Sequence, residues 1–233
     1  DYTIMPAHRP LVREVNAVFD FIEKPYTPVN FKELLVSPND MRKRLIALIN
    51  KEIKNKEQGK EAYILAKVNH ITDRALIEKL YEASTAGVQV ELVVRGNCSL
   101  VTGIAGISEN IHINGIIDRY LEHSRIFIFA NGGEEKYYIG SADWMPRNLD
   151  NRIEVLAPVY DKEIQADLKR IVCYGYRDTA KGRIVDGTGE NRPWENQPST
   201  LCKDFTPALA EAETATVVFR SQEELYRKYK NTL

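Results

Sequence analysis

Tyr63–Val94 reads YILAKVNHITDRALIEKLYEASTAGVQVELVV, and this stretch decides the fold. Tyr63 to Val68 is a short apolar run of strand length. Asp73 is a good helix N-cap, and Leu76, Ile77, Leu80 and Tyr81 then recur on one helical face. Ala86-Gly87 stops that helix, because glycine accepts the left-handed conformation that commonly follows a helix. Val88 to Val94 is a second apolar strand. Strand, helix and strand in this order predict two parallel strands joined by a right-handed crossover. Ligands of open α/β sheets bind at the carboxyl ends of such strands. Arg95 stands at the end of the second strand, and Lys67 and Asn69 stand at the end of the first. All three are candidate anion contacts.

Elements on either side extend the pattern. Leu11 to Ile22 has helical spacing through Leu11, Val15, Val18, Phe19 and Ile22, and the prolines at 25 and 28 end it. Phe31 to Val36 reads as a short strand. Ser37-Pro38-Asn39-Asp40 caps a helix that starts near Met41 and dissolves in the polar run Lys54 to Lys60. Ile111 to Ile117 reads as a strand. His123 to Ala130 is apolar on both faces, as expected of a strand in the middle of a covered sheet. Asn131-Gly132-Gly133 turns the chain into a return strand, Lys136 to Ile139, so the sheet is mixed. Asn151 to Val159 is a further strand. Asp161 caps a helix that runs to about Tyr174. Tyr176 to about Asp204 is polar and irregular. Ser221-x-x-Glu224 opens a C-terminal helix as a capping box. The predicted fold is α/β: a mixed central β-sheet with helices on both faces. The organisation is a lead-in and helix over 1–30, a main domain over 31–185, and an extension over 186–233.

Composition sets limits. The chain has 233 residues, 43% hydrophobic, which suffices for a sizeable core. A formal net charge of −1 gives no global basic field, so an anion site has to be a local cluster and nucleic acid is not an expected partner. Cys98, Cys173 and Cys202 are far apart and form no CxxC pair, so neither zinc nor a disulfide framework is expected. The simplest reading is reduced thiols in a cytoplasmic protein. No apolar run reaches the ~20 residues of a membrane span. The sequence starts at Asp1 without a basic-then-apolar leader or an initiator Met, and a segment of a longer protein is expected.

The chemistry concentrates in Leu121–Pro158, LEHSRIFIFANGGEEKYYIGSADWMPRNLDNRIEVLAP. His123 and Arg125, two apart, are read as sharing one strand face. Histidine can accept, donate or be phosphorylated near neutral pH, and arginine offers a planar fork to phosphate. On their own they are better read as a surface histidine at a strand start beside a salt-bridged arginine. Ser141 after Gly140, with Arg147, Asn148, Arg152 and Glu154, favours a phosphate site. Asp118, Asp143 and Asp150 can hold Mg²⁺ through water or balance the arginines, the second being preferred. His70 and His112 are read as structural, His8 as incidental, and Trp144 as packing.

KVNHITD, IEKLYEASTAGVQVELVVRGNCSL, GISENI, LEHSRIFIF and IGSADWMPRNLDNRIEVLAPV resemble the carboxy-terminal region of the bacterial polyphosphate kinases of the first type. The resemblance covers roughly residues 11–185 and is strongest between Lys67 and Pro158. It implies reversible transfer between ATP and long-chain polyphosphate with Mg²⁺, on a fold similar to half of a phospholipase D-type protein. It also implies that the phosphorylated histidine lies in an upstream domain, that Arg95 and His123 contact ATP, and that His123 takes part in catalysis. By position, Lys67, Asn69, Arg125, Ser141, Arg147 and Arg152 are expected along the phosphate path, with no metal ligand in this chain. ATP or ADP, inorganic polyphosphate and the upstream domains are the expected partners. The full-length protein is expected to be a cytoplasmic homo-oligomer, peripheral to the inner membrane surface. Locally, His123-Ser-Arg125, Gly140-Ser141, Asn151 and Glu154 resemble the phospholipase D pattern, with arginine in place of lysine and the aspartate after the apolar run missing. A phosphodiesterase or nuclease is therefore one alternative. A non-catalytic polyanion-binding module is the other, and it is what the isolated chain is expected to be.

Overall fold

The computed structural model describes residues 3–194, 199, 201–203 and 218–230. Among these residues eight strands form one mixed sheet in the order β1-β7-β6-β5-β2-β3-β4-β8. They are β1 (Leu35–Ser37), β2 (Tyr63–Val68), β3 (Gln89–Val94), β4 (Ile111–Ile116), β5 (Arg125–Phe129), β6 (Lys136–Gly140), β7 (Glu154–Val159) and β8 (Gly182–Ile184). The helices are α1 (Arg9–Glu23), α2 (Met41–Glu57), α3 (Arg74–Thr85), α4 (Lys162–Tyr176) and α5 (Ser221–Lys230).

The stretch from Tyr63 to Val94 forms the expected unit. β2 pairs parallel to β3 with Tyr63 opposite Gln89, and α3 crosses between them. The Asp73 carboxylate caps α3 by accepting from the Leu76 N–H at 3.0 Å, and Gly87 takes φ +84°. β5 pairs antiparallel to β2, and β6 to β5. Every residue of β2 is buried, as is β5 after Arg125, which fits strands covered on both faces. On one face, α2 and α3 bury Leu45, Ile49, Leu76 and Leu80 against Ile64, Leu92 and Phe127. On the other, α4 buries Leu168, Ile171 and Val172 against Leu65, Ile126 and Ile128. α1 packs beside β1 and β7 on that second face. The predicted fold class holds.

Several local expectations need correction. β1 is Leu35–Ser37 rather than Phe31–Val36, because Phe31 and Leu34 turn into the α1 contact. α1 buries Leu11, Val18 and Phe21, while Phe19 is 63% and Ile22 50% exposed. Asp40 is the α2 N-cap residue but makes no side-chain capping bond. Residues 147–151 form a π-turn rather than the start of a strand, so β7 begins at Glu154. The segment after Tyr176 contributes β8. The Ser221 hydroxyl donates to Asp178 at 2.7 Å instead of forming a capping box. Cys173 and Cys202 are joined in a disulfide, against the expectation of reduced thiols. They lie 29 residues apart in sequence with Cα atoms 5.2 Å apart, a closeness that spacing alone does not reveal. Among the described residues no helix is long and apolar enough to cross a membrane.

Candidate functional site

The topology brings chemistry to one rim of the sheet. β2, β3 and β4 are parallel, so Asn69, Arg95 and the segment after Ile116 leave at the same end. β5 runs the other way and enters there through His123 and Arg125. β6 leaves there through Gly140 and Ser141. The three exit loops are then laced together by backbone bonds. Ile71 N donates to Asn97 O at 2.9 Å, Thr72 N to Trp144 O at 2.8 Å, and Trp144 N to His70 O at 3.1 Å. Trp144 is buried and stacks on Phe127 with ring centroids 5.4 Å apart.

Two glycines are required by close approaches. A Cβ on Gly96 would lie 2.4 Å from the His70 ring, whose Nδ1 accepts from Asn97 N at 2.9 Å. A Cβ on Gly140 would lie 1.9 Å from the Val155 carbonyl, so the Gly140-Ser141 step can press onto β7 only without a side chain. Ser141 exchanges hydrogen bonds with Val155 there, its N–H donating at 3.1 Å and its hydroxyl accepting at 3.3 Å.

The lacing places Asp143 under the centre of the rim, 4% exposed. Its Oδ1 accepts from Asn69 N at 2.8 Å and Asn69 Nδ2 at 3.1 Å. Arg125 grips it with two donors, Nη2 to Oδ2 at 2.9 Å and Nε to Oδ1 at 3.2 Å. Burial pushes the Asp143 carboxyl up, but the Arg125 bonds and the Asn69 N–H outweigh it and hold it below the usual range.

Arg125 also donates to the His123 carbonyl at 2.9 Å, and its guanidinium lies 3.1 Å from the ring Nδ1. His123 precedes β5 instead of lying in it, so the strand-face argument fails. The two side chains still meet, because Arg125 folds back on the histidine. Burial lowers the His123 pKa, the charges of Arg125 and Arg95 lower it further, and Asp143 opposes them. The imidazole is therefore held in its neutral form at pH 7.

Arg95 donates through Nε to the Asn69 side-chain carbonyl, a neutral partner. Lys67 is buried, with its ammonium 3.0 Å from Glu122. The charges of Lys67 and Arg125 are thus balanced by carboxylates, whereas among the described residues Arg95 is bonded to a neutral amide and paired with no carboxylate. A cavity of about 470 Å³ is lined by His123, Arg125, Gly140, Ser141 and Val155, with Ile4 across it. Arg95 lines a smaller cavity of about 100 Å³ with Tyr120 and Glu122.

The remaining candidates spread outward. Arg147 is exposed on the π-turn. Arg152 is exposed and lies 3.9 Å from Glu154. Asn148, not Asn151, meets the glutamate: its Nδ2 donates to Glu154 Oε1 at 2.6 Å, while Asn151 is exposed. Spacing could not choose between two asparagines in a turn of unusual pitch. Asp150 and Asp118 pair with Arg42 and Arg220. Glu122 was missed, since a single glutamate before a histidine carries no pattern.

This arrangement suits polyanion binding beside a neutral histidine. A family model described as polyphosphate kinase C-terminal domain 2 matches residues 34–203. A polyphosphate kinase of Vibrio vulnificus strain YJ016 is 47% identical over 186 residues, which is 80% of this chain and 27% of that protein. The polyphosphate kinase of Escherichia coli strain K12 is 45% identical over 192 residues, 82% of this chain and 28% of that one. The crystal structure of polyphosphate kinase from Porphyromonas gingivalis matches 98% of this chain and 32% of its own, at 36% identity and a TM-score of 0.84. The chain thus spans little more than a quarter of the length of these curated relatives. With its sequence matched over most of its length and its fold matched almost throughout, the chain belongs to the polyphosphate kinase C-terminal domain 2 family.

Proposed function

We propose that this chain is the substrate-holding wall of a polyphosphate kinase active site. The enzyme reversibly transfers the terminal phosphate of ATP to long-chain polyphosphate through a phosphohistidine on an upstream domain. The observation that carries the reading is the meeting of Arg95, charged and bonded to a neutral amide, with exposed, neutral His123 at one rim. Phosphoryl transfer rests mainly on positioning and charge stabilisation, which such a rim supplies. Arg95 holds non-bridging phosphate oxygens through its fork. His123, as a neutral imidazole, donates an N–H hydrogen bond to the transferring or leaving phosphate and strengthens it as charge develops there. Arg125 orients the imidazole, while Ser141, Arg147 and Arg152 extend the polyphosphate path. Buried Lys67 acts through Glu122, and Asn69 aims Arg95.

The family resemblance implies Mg²⁺ bound with ATP. The rim carboxylates do not fit it directly. Asp143 is taken by Arg125, Asp118 by Arg220, Asp150 by Arg42 and Glu122 by Lys67. The roles given above belong to this chain's own side chains.

The test uses the full-length enzyme. His123→Ala and Arg95→Ala each lower polyphosphate synthesis by about 100-fold or more. Synthesis at the wild-type rate in either variant removes the assignment. The isolated chain binds polyphosphate without turnover.

A further inference from the structure

The family model ends at residue 203, and α5 lies beyond it. The residues that open this helix reach the active rim. Residues 118–122, which lead directly into His123, have no strand or helix structure, so their backbone groups need partners from elsewhere. Gln222 supplies them. Its Oε1 accepts from Tyr120 N at 3.0 Å, and its Nε2 donates to Tyr120 O at 2.9 Å and to Glu122 Oε1 at 2.8 Å. Arg220 adds a two-pronged grip on the buried Asp118 carboxylate, at 2.6 and 2.9 Å. The clamp has its own anchor. Ser221 N and Oγ both donate to the fully buried Asp178, and Phe219 meets the Tyr174 ring of α4 edge-on at 5.3 Å.

We propose that Gln222 and Arg220 are positioning residues of the active rim: through residues 118–122 they fix where His123 stands relative to Arg95. One amide side chain satisfies both backbone groups of Tyr120, three residues before His123. The same amide holds Glu122 on Lys67, whose strand neighbours that of Arg95. Cutting this link leaves the sheet and its core untouched but frees the approach to His123. The chemistry that would suffer is phosphoryl transfer, so this inference rests on the function proposed above.

The experiment compares Gln222→Ala, Gln222→Glu, Arg220→Ala and Arg220→Lys in the full-length enzyme. Gln222→Glu keeps the shape but loses both donated bonds and sets a like charge beside Glu122. A displacement of about 1 Å can cost up to about 100-fold in rate. The expected result is a fall in kcat of about 10- to 100-fold for Gln222→Ala, Gln222→Glu and Arg220→Ala. The KM for ATP changes far less, and Arg220→Lys recovers part of the rate. Hydrogen exchange quickens at residues 118–123 and stays unchanged in β5. Unchanged kcat overturns the proposal. So does a fall in kcat that only follows the folded fraction, with no recovery in Arg220→Lys. If the unaltered enzyme makes no polyphosphate, the functional reading fails by itself. The exchange data then decide the clamp, and unchanged exchange at 118–123 overturns it.

Discussion

Replacing Asp143 with alanine removes a single acceptor that gathers donors from two strand ends. Arg125 loses both bonds to it and keeps its guanidinium in a side chain only 10% exposed. Asn69 loses the partner of its backbone N–H and one partner of its amide. Removing one member of a buried pair costs about 3–5 kcal/mol, because an uncompensated charge stays behind. The stranded Asn69 N–H alone accounts for about 1–3 kcal/mol. These losses share one site and do not add, so the expectation is about 3–5 kcal/mol in total. Asp143→Asn keeps an acceptor for Asn69 and loses only the charge, so it costs less. Urea unfolding of this chain, with the slope held common, reads the difference as a lower midpoint. The acid limb gives a second check. The Asp143 carboxyl is held below its ordinary value, so its stabilisation is present above the unfolded-state pKa near 3.8 and fades as pH falls through the folded value. A loss under 1 kcal/mol for Asp143→Ala at pH 7 would refute the view that this carboxylate holds the rim together.

Three further outcomes are expected. Glu91 is buried beneath Ser199, and burial raises its pKa to about 7. A raised carboxyl costs stability as pH climbs from about 4.5 to 7, so Glu91→Gln gains on wild type by up to about 3 kcal/mol between pH 5 and pH 8 in urea midpoints. Gly140→Ala drives a Cβ into the Val155 carbonyl and lowers stability by about 1–3 kcal/mol or more, measured in the same way; an unchanged midpoint would contradict the close approach. Cys202→Ser opens the 29-residue loop closed by the disulfide, and chain entropy puts the loss at about 3–4 kcal/mol, seen as a lower thermal midpoint under non-reducing conditions.

Much of the scaffold was legible because its signals are local. The apolar runs of β2, β3 and β5, the Asp73 and Asp161 caps and the Gly87 stop each depend on neighbours within a few residues. The hairpin from β5 to β6 followed from Asn131-Gly132-Gly133. The failures share a cause. The π-turn at 147–151, β8 and the terminal helix start at Ser221 are shaped by partners far along the chain. Apolar spacing in α1 named a face, but only contact with Phe31 and Leu34 selects Leu11, Val18 and Phe21 from it.

The sequence by itself determined that two parallel strands end at Asn69 and Arg95, that a third begins near His123, and that the motifs are those of one family. The tertiary structure alone decided what each charge does. Lacing of three exit loops set Asp143 on Arg125, left Arg95 on a neutral amide, and paired Lys67 with Glu122. It also brought Gln222 to a backbone segment 102 residues away. Periodicity reports which face of an element is buried. Electrostatic pairing depends on distances of a few ångströms between residues remote in sequence, and these exist only once the sheet has formed.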